Sequence, residues 1–153
     1  MEACNREGSR NVKLVLEYDG TRYCGFQRQV GVPTIQAKLE AAIEAITKMY
    51  SHVTAAGRTD AGAHAIGQVV NFRTCSGMFA EKFVPALNSV LPRDIRIISS
   101  EEVPWEFHAR YDARWKTYEA GSISVYPQLH LSLEYSVGLR RNEDSCRVFS
   151  RNT

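Results

Sequence analysis

The sequence predicts a mixed α/β (α+β) fold, a ferredoxin-like β-α-β-β-α-β sandwich with its helices on one face of an antiparallel sheet. Three patterns lead there. Val12, Leu14, Leu16 and Tyr18 alternate with Lys13, Val15 and Glu17, which is the period of a strand. Apolar residues between Ile35 and Tyr50 recur at spacings of three and four, the period of a helix packed on a sheet. Two more β-compatible runs flank a glycine-bracketed loop, and a helical segment and a strand follow them. With 153 residues, 44% hydrophobic and 24% charged, the chain can bury one sizeable core, which excludes disorder and low-complexity scaffolding.

The first strand closes at Asp19-Gly20, a turn-forming pair. Thr34, after Pro33, is placed to cap a helix whose apolar stripe is Ile35, Leu39, Ala42, Ile43, Ile46 and Tyr50. Residues 52–56 form a short second strand, residues 57–62 a loop, and residues 68–73, rich in Val and Phe, a third strand. Residues 79–91 have helical character, and Pro85, which lacks an amide proton, marks the expected start of the regular helix. Residues 94–103 complete the sandwich. This order leaves one sheet face open, the surface RNA-recognition modules use, although fold by itself assigns no activity.

The tail is different in character. Leu129, Leu131, Leu133, Tyr135 and Val137 alternate with polar residues and predict an amphipathic strand, whereas the polar runs 140–144 and 150–153 are expected to be flexible. The domain plan is therefore a flexible N-terminus at 1–11, an α/β domain at 12–119 and a divergent tail at 120–153.

Nineteen Lys and Arg against seventeen Asp and Glu leave a formal charge of +2, so any nucleic-acid surface must be local. Cys4, Cys24, Cys75 and Cys146 form no Cys-x-x-Cys pair, so neither a metal site nor a disulfide framework is expected. The first residues carry acids and no apolar run of signal-peptide length, and no segment is apolar enough to span a bilayer. An intracellular chain without a membrane role, cytoplasmic in the simplest case, is the expectation.

Gly57-Arg58-Thr59-Asp60-Ala61-Gly62-Ala63-His64 is the most informative stretch, because two glycines bracket a cation and a carboxylate just past a strand. A ligand-approaching loop and a plain tight turn both fit it. It is not a Walker loop, since no Lys followed by Ser or Thr succeeds the second glycine.

The longer stretch from Ala56 through His64, Gln68 and Asn71 to Phe72 closely resembles the active-site segment of TruA-type tRNA pseudouridine synthases. Other signatures stand in the same order: Glu17-Tyr18-Asp19-Gly20, Gly25-Phe26-Gln27-Arg28-Gln29, Ala86-Leu87-Asn88, Leu91-Pro92 and Phe107-His108-Ala109-Arg110. The resemblance covers about 12–118 and identifies the α/β domain as the N-terminal catalytic half of such an enzyme. It implies a cofactor-independent isomerase acting on uridine in tRNA, in the anticodon arm, with Asp60 as the catalytic aspartate. A carboxylate suits a reaction that breaks an N-glycosidic bond and joins a ring carbon to the ribose, whether it acts at the sugar carbon, on the base or on a ribose proton.

By the same resemblance Tyr118 stacks on the flipped uracil, and Arg58 contacts phosphate or helps displace the base. Arg22, Arg28, Arg110, Arg114 and Lys116 interleave with Tyr23, Phe26, Tyr111 and Trp115, a mixture suited to RNA and equally to a solvated sheet rim. His64 and His108 are expected to be hydrogen-bonded structural groups rather than catalysts. The family's second half, with an arginine partner for the aspartate, is not in this sequence, so a truncated or alternatively spliced form is one expectation. The alternative function is then an inactive fragment that binds RNA or forms a homodimer through an exposed sheet edge.

Overall fold

The computed structural model describes residues 6–113 and the strand backbones of residues 132–139 and 142–149. β1 (Arg10–Tyr18) is an inner strand of the sheet, with β4 (Ile95–Val103) antiparallel on one side and β3 (His64–Thr74) antiparallel on the other. β2 (Thr54–Ala55) pairs with β3 through Thr54 opposite Asn71 and Ala55 opposite Val70. The order β4-β1-β3-β2 is that of the expected sandwich. Register shifts at Leu16/Glu17 and Val15/Leu16 put a bulge near the end of β1, beside the loop that carries the candidate chemistry.

The alternation in β1 buries Val12, Leu14, Leu16 and Tyr18 against the helices. α1 (Ile35–Thr47) supplies Ile35, Leu39, Ala42 and Ile43 to that core, and the Thr34 hydroxyl accepts from the Ala37 amide as N-cap. The helix ends at Lys48, in the left-handed region at φ 62°, so Tyr50 falls outside the stripe and is half exposed. α2 (Phe83–Val90) starts two residues before Pro85, after a 3-10 turn at Ala80–Lys82. Pro85 then sits in the first turn, where amides have no carbonyl partner within the helix. Phe83 meets Phe72 edge-on at 5.4 Å.

The sheet face away from the helices is covered around Asn11 and Asn71, where the sequence-based expectation left it open. Asn11 Nδ2 donates to the carbonyls of Phe107 (2.8 Å) and Pro104 (3.1 Å), and Asn71 Oδ1 accepts from the Ala109 amide at 2.9 Å. Asn71 Nδ2 closes the network on Asn11 Oδ1 at 3.0 Å. Residues 104–109 are thus tied across that face, and Asn11, Lys13, Val69 and Asn71 are buried. Non-local side-chain bonds of this kind leave no periodic trace in a sequence.

Two strands follow in the tail, β5 (Ser132–Leu139) and β6 (Asn142–Phe149), an antiparallel pair. β6 pairs with β3 at His64, Ala65 and Ile66, nearer the start of that strand than the β2 pairing at Val70 and Asn71. The alternation around Leu133 and Tyr135 thus corresponds to β5, while Asn142, Glu143 and Asp144, expected to be flexible, lie in β6. A polar run can extend a sheet because the ladder is made by backbone groups. Cys75 is disulfide-bonded and Cys24 is a free thiol, a correction to the expectation that spacing carried. Spacing along a chain does not tell which thiol the fold brings close.

Candidate active site

Four contacts fasten the 57–62 loop from below. The carbonyl of Gly57 accepts from Gln68 Nε2 at 2.8 Å, and Gln68 is fully buried on β3. The carbonyl of Thr59 accepts from the Phe26 amide at 3.0 Å, and Thr59 Oγ1 lies 2.7 Å from the Tyr18 hydroxyl. The Gly62 amide donates to Tyr23 at 3.1 Å, and within the loop the Ala63 amide donates to the Asp60 carbonyl at 3.0 Å. Arg58 and Asp60 both point their side chains to solvent, and among the described residues the Asp60 carboxylate makes no hydrogen bond or ion pair. Fixing a loop on either side of a free carboxylate keeps it available as base or nucleophile without reorganisation.

Two glycines make this docking sterically feasible. A Cβ on Gly20 would lie 1.8 Å from the Ala63 carbonyl oxygen, and one on Gly25, whose φ is 92°, would lie 2.9 Å from that of Thr59. Backbone therefore approaches backbone at both places.

The turn beneath is held by a polar cluster. Asp19 Oδ1 accepts from the Thr21 amide (3.0 Å) and hydroxyl (2.5 Å), and His64 Nδ1 lies 2.9 Å from it. His64, almost wholly buried, also receives the Gly20 amide on Nδ1 at 3.0 Å. With Nδ1 bare it accepts from Gly20; with Nδ1 protonated it donates to Asp19. Burial raises the Asp19 carboxyl, but the Thr21 bonds, His64 and Arg22 together outweigh it and leave the pKa below its ordinary value. Tyr23 donates to Asp94 at 2.7 Å, and burial with that carboxylate pushes its phenol up.

Beside the loop opens a cleft of about 1020 Å³, lined by β2, by residues 26–31 and by His108, Arg110 and Tyr111. Arg28, Arg58 and Arg110, far apart in sequence, all line it. Asp60 and Arg22 do not: Asp60 lies two residues past Arg58, and Arg22 is in the Gly20–Arg22 turn. Tyr118, Arg114 and Lys116 lie outside the described residues. His108 accepts the Tyr111 amide at 3.3 Å and stacks on the Tyr111 ring at 4.2 Å.

Sequence reasoning passed over Gln36, which lines the cleft, Glu40, which is buried behind it and pairs with Arg28, and Gln68, which holds the loop. A polar residue at a core position of an amphipathic helix was the available signal, since both Gln36 and Glu40 are buried. Among the described residues, no group of three or more His, Cys, Asp or Glu is placed to hold a metal ion, and no helix is long and apolar enough to cross a membrane.

Fold and loop together define a ferredoxin-like α/β domain that presents Asp60 on a firmly anchored loop next to a basic cleft. A family profile described as tRNA pseudouridine synthase matches residues 14–112, and the chain belongs to that family. It is 47% identical over 132 residues to tRNA pseudouridine synthase A of Clostridium botulinum, covering 86% of this chain and 54% of that protein. It is 52% identical over 112 residues to tRNA pseudouridine synthase A 2 of Clostridium tetani, covering 72% and 45%. Acetivibrio thermocellus tRNA pseudouridine synthase A is 50% identical over 109 residues, covering 71% and 45%. The chain spans about half the length of the curated relatives it matches.

Proposed function

We propose that this chain carries the chemistry of a tRNA pseudouridine synthase, isomerising uridine in the anticodon arm of tRNA with Asp60 as the reacting carboxylate. One observation carries the reading: the loop spends its backbone and its Thr59 hydroxyl on inward bonds and leaves Arg58 and Asp60 facing out. The names of the relatives support the substrate class.

In this reading the target uridine leaves its stack, at a cost of about a few kcal/mol. Tyr118 then stacks on the base, Arg58 with Arg28 and Arg110 in the cleft meets phosphate, and Arg22, Arg114 and Lys116 are further candidates for phosphate contact. Asp60 supplies ionised oxygen while the N-glycosidic bond breaks and the carbon–carbon bond forms, with no atom gained or lost and no cofactor required.

A second reading, RNA binding without turnover, is favoured by the absence of any cation paired with Asp60 among the described residues. Pseudouridine mapping with the 153-residue chain and unmodified tRNA separates the two. Turnover that vanishes in Asp60→Asn while tRNA binding persists is the expected result of the first reading. Binding with no turnover in either form selects the second, and turnover in Asp60→Asn removes Asp60 from its role.

A further inference from the structure

We propose that Glu40 is the positioning residue of the cleft, holding Arg28 in place for an RNA phosphate; this rests on the RNA-binding reading of the cleft given above. Glu40 is wholly buried on α1, yet five groups from three segments converge on its carboxylate. Oε1 accepts from Gln36 Nε2 (3.1 Å) and the Val53 amide (3.1 Å), with His52 Nδ1 at 3.2 Å. Oε2 pairs with Arg28 Nε at 2.9 Å and accepts from the Tyr50 hydroxyl at 3.3 Å. A buried carboxylate costs several kcal/mol unless so surrounded, and tying α1 to Val53 would need only one of its oxygens.

The second oxygen is spent on a side chain that is half exposed and lines the cleft. Through Nε, Glu40 holds one edge of the planar guanidinium, and among the described residues that group makes no other hydrogen bond or ion pair. Its two Nη nitrogens are thereby left for a ligand in a fixed plane, the geometry of paired recognition of phosphate. The main chain of Arg28 is held by the same device at one remove. Its amide donates to Gln36 Oε1 at 2.9 Å, and Gln36 in turn donates to Glu40. Both the position and the direction of Arg28 thus depend on one carboxylate.

The test uses the full chain and a tRNA transcript. In Glu40→Gln the amide oxygen can keep Val53 and Gln36, but the amide nitrogen then faces Arg28 Nε, donor against donor. Glu40→Gln is expected to bind tRNA about tenfold more weakly, as Arg28→Ala does, with the salt slope smaller by about one in each. The double variant should be no weaker than either single one. Tyr50→Phe, which removes only the other donor to Oε2, should bind like the parent. Nitrogen-15 spectra should show a slowly exchanging Arg28 Nε proton that Glu40→Gln loses, a readout independent of RNA. Weak binding by Arg28→Ala alone, or additive losses in the double variant, overturns the role of Glu40 and leaves the cleft reading standing. If Arg28→Ala binds like the parent, or the parent does not bind, both fall. Should Glu40→Gln fail to fold, Arg28→Lys keeps the charge without the fork and is expected to bind within about threefold of Arg28→Ala; parental affinity there overturns the proposal.

Discussion

The Tyr18 hydroxyl lies 2.7 Å from Thr59 Oγ1, so the last residue of β1 grips the residue just before Asp60. Tyr18 is buried and Asp60 exposed, and the bond between hydroxyls carries the rigidity of the sheet out to the loop. Tyr18→Phe keeps the ring and removes this link. It should cost about 1 kcal/mol in denaturant unfolding, and single-turnover isomerisation should slow while tRNA affinity holds. Unchanged turnover would show that the loop needs no support from β1.

Gly20→Ala should be strongly destabilising, by about 2 kcal/mol or more, because the added carbon meets a backbone carbonyl and no rotamer can relieve it. Gly8→Ala is the control, since a Cβ there meets nothing within 4 Å. Thermal melts of the two variants should diverge clearly, and equal melts would mean that the loop can lift from the turn at no cost.

Acid should act on the turn through Asp19. Its folded pKa lies below the unfolded value, so its contribution to stability is complete above about 3.8 and is lost as pH falls through the folded pKa. Asp19→Asn should therefore reduce stability at neutral pH modestly, given the half-exposed side chain, and should flatten the decline below pH 4. Denaturant midpoints measured against pH check this, and an acid limb identical in the two proteins would remove Asp19 as its source.

Asn71→Ala removes the acceptor of the Ala109 amide and the donor to Asn11. Leaving those partners unsatisfied in a buried network should cost about 2–3 kcal/mol. Because this bond fixes the segment carrying Arg110, tRNA binding should weaken and its salt dependence become shallower, as in Arg110→Ala. Loss of stability with the parental salt slope would separate the segment's packing from the proposed phosphate surface.

The strand at 12–18, the helix capped by Thr34 and the sandwich order were legible because each rests on a local period or a local cap. Boundaries were less so. β3 begins at His64 rather than at 68, since Ala65 and Ile66 are aligned by pairing with β1 and β6 and not by their own alternation. α2 begins at Phe83, two residues before the start expected at Pro85, because proline is tolerated anywhere in the first turn and so does not mark the first helical residue. The loop stood out by composition, but what holds it did not. Gln68, Tyr18 and Tyr23 look like ordinary strand and turn residues until their partners are known.

By itself, then, the sequence determined the α/β class, the glycine-bracketed loop and the chemical types available there, since periodicity and residue identity are properties of neighbours along the chain. Only the tertiary structure decided that Arg28, Arg58 and Arg110 share one cleft, that residues 104–109 cover part of the second sheet face, and that Glu40 sits buried behind Arg28. These are contacts between distant segments, and sheet register and side-chain hydrogen bonds select them. A buried carboxylate persists only where the fold brings enough donors to it, and no stretch of the chain holds all of those donors.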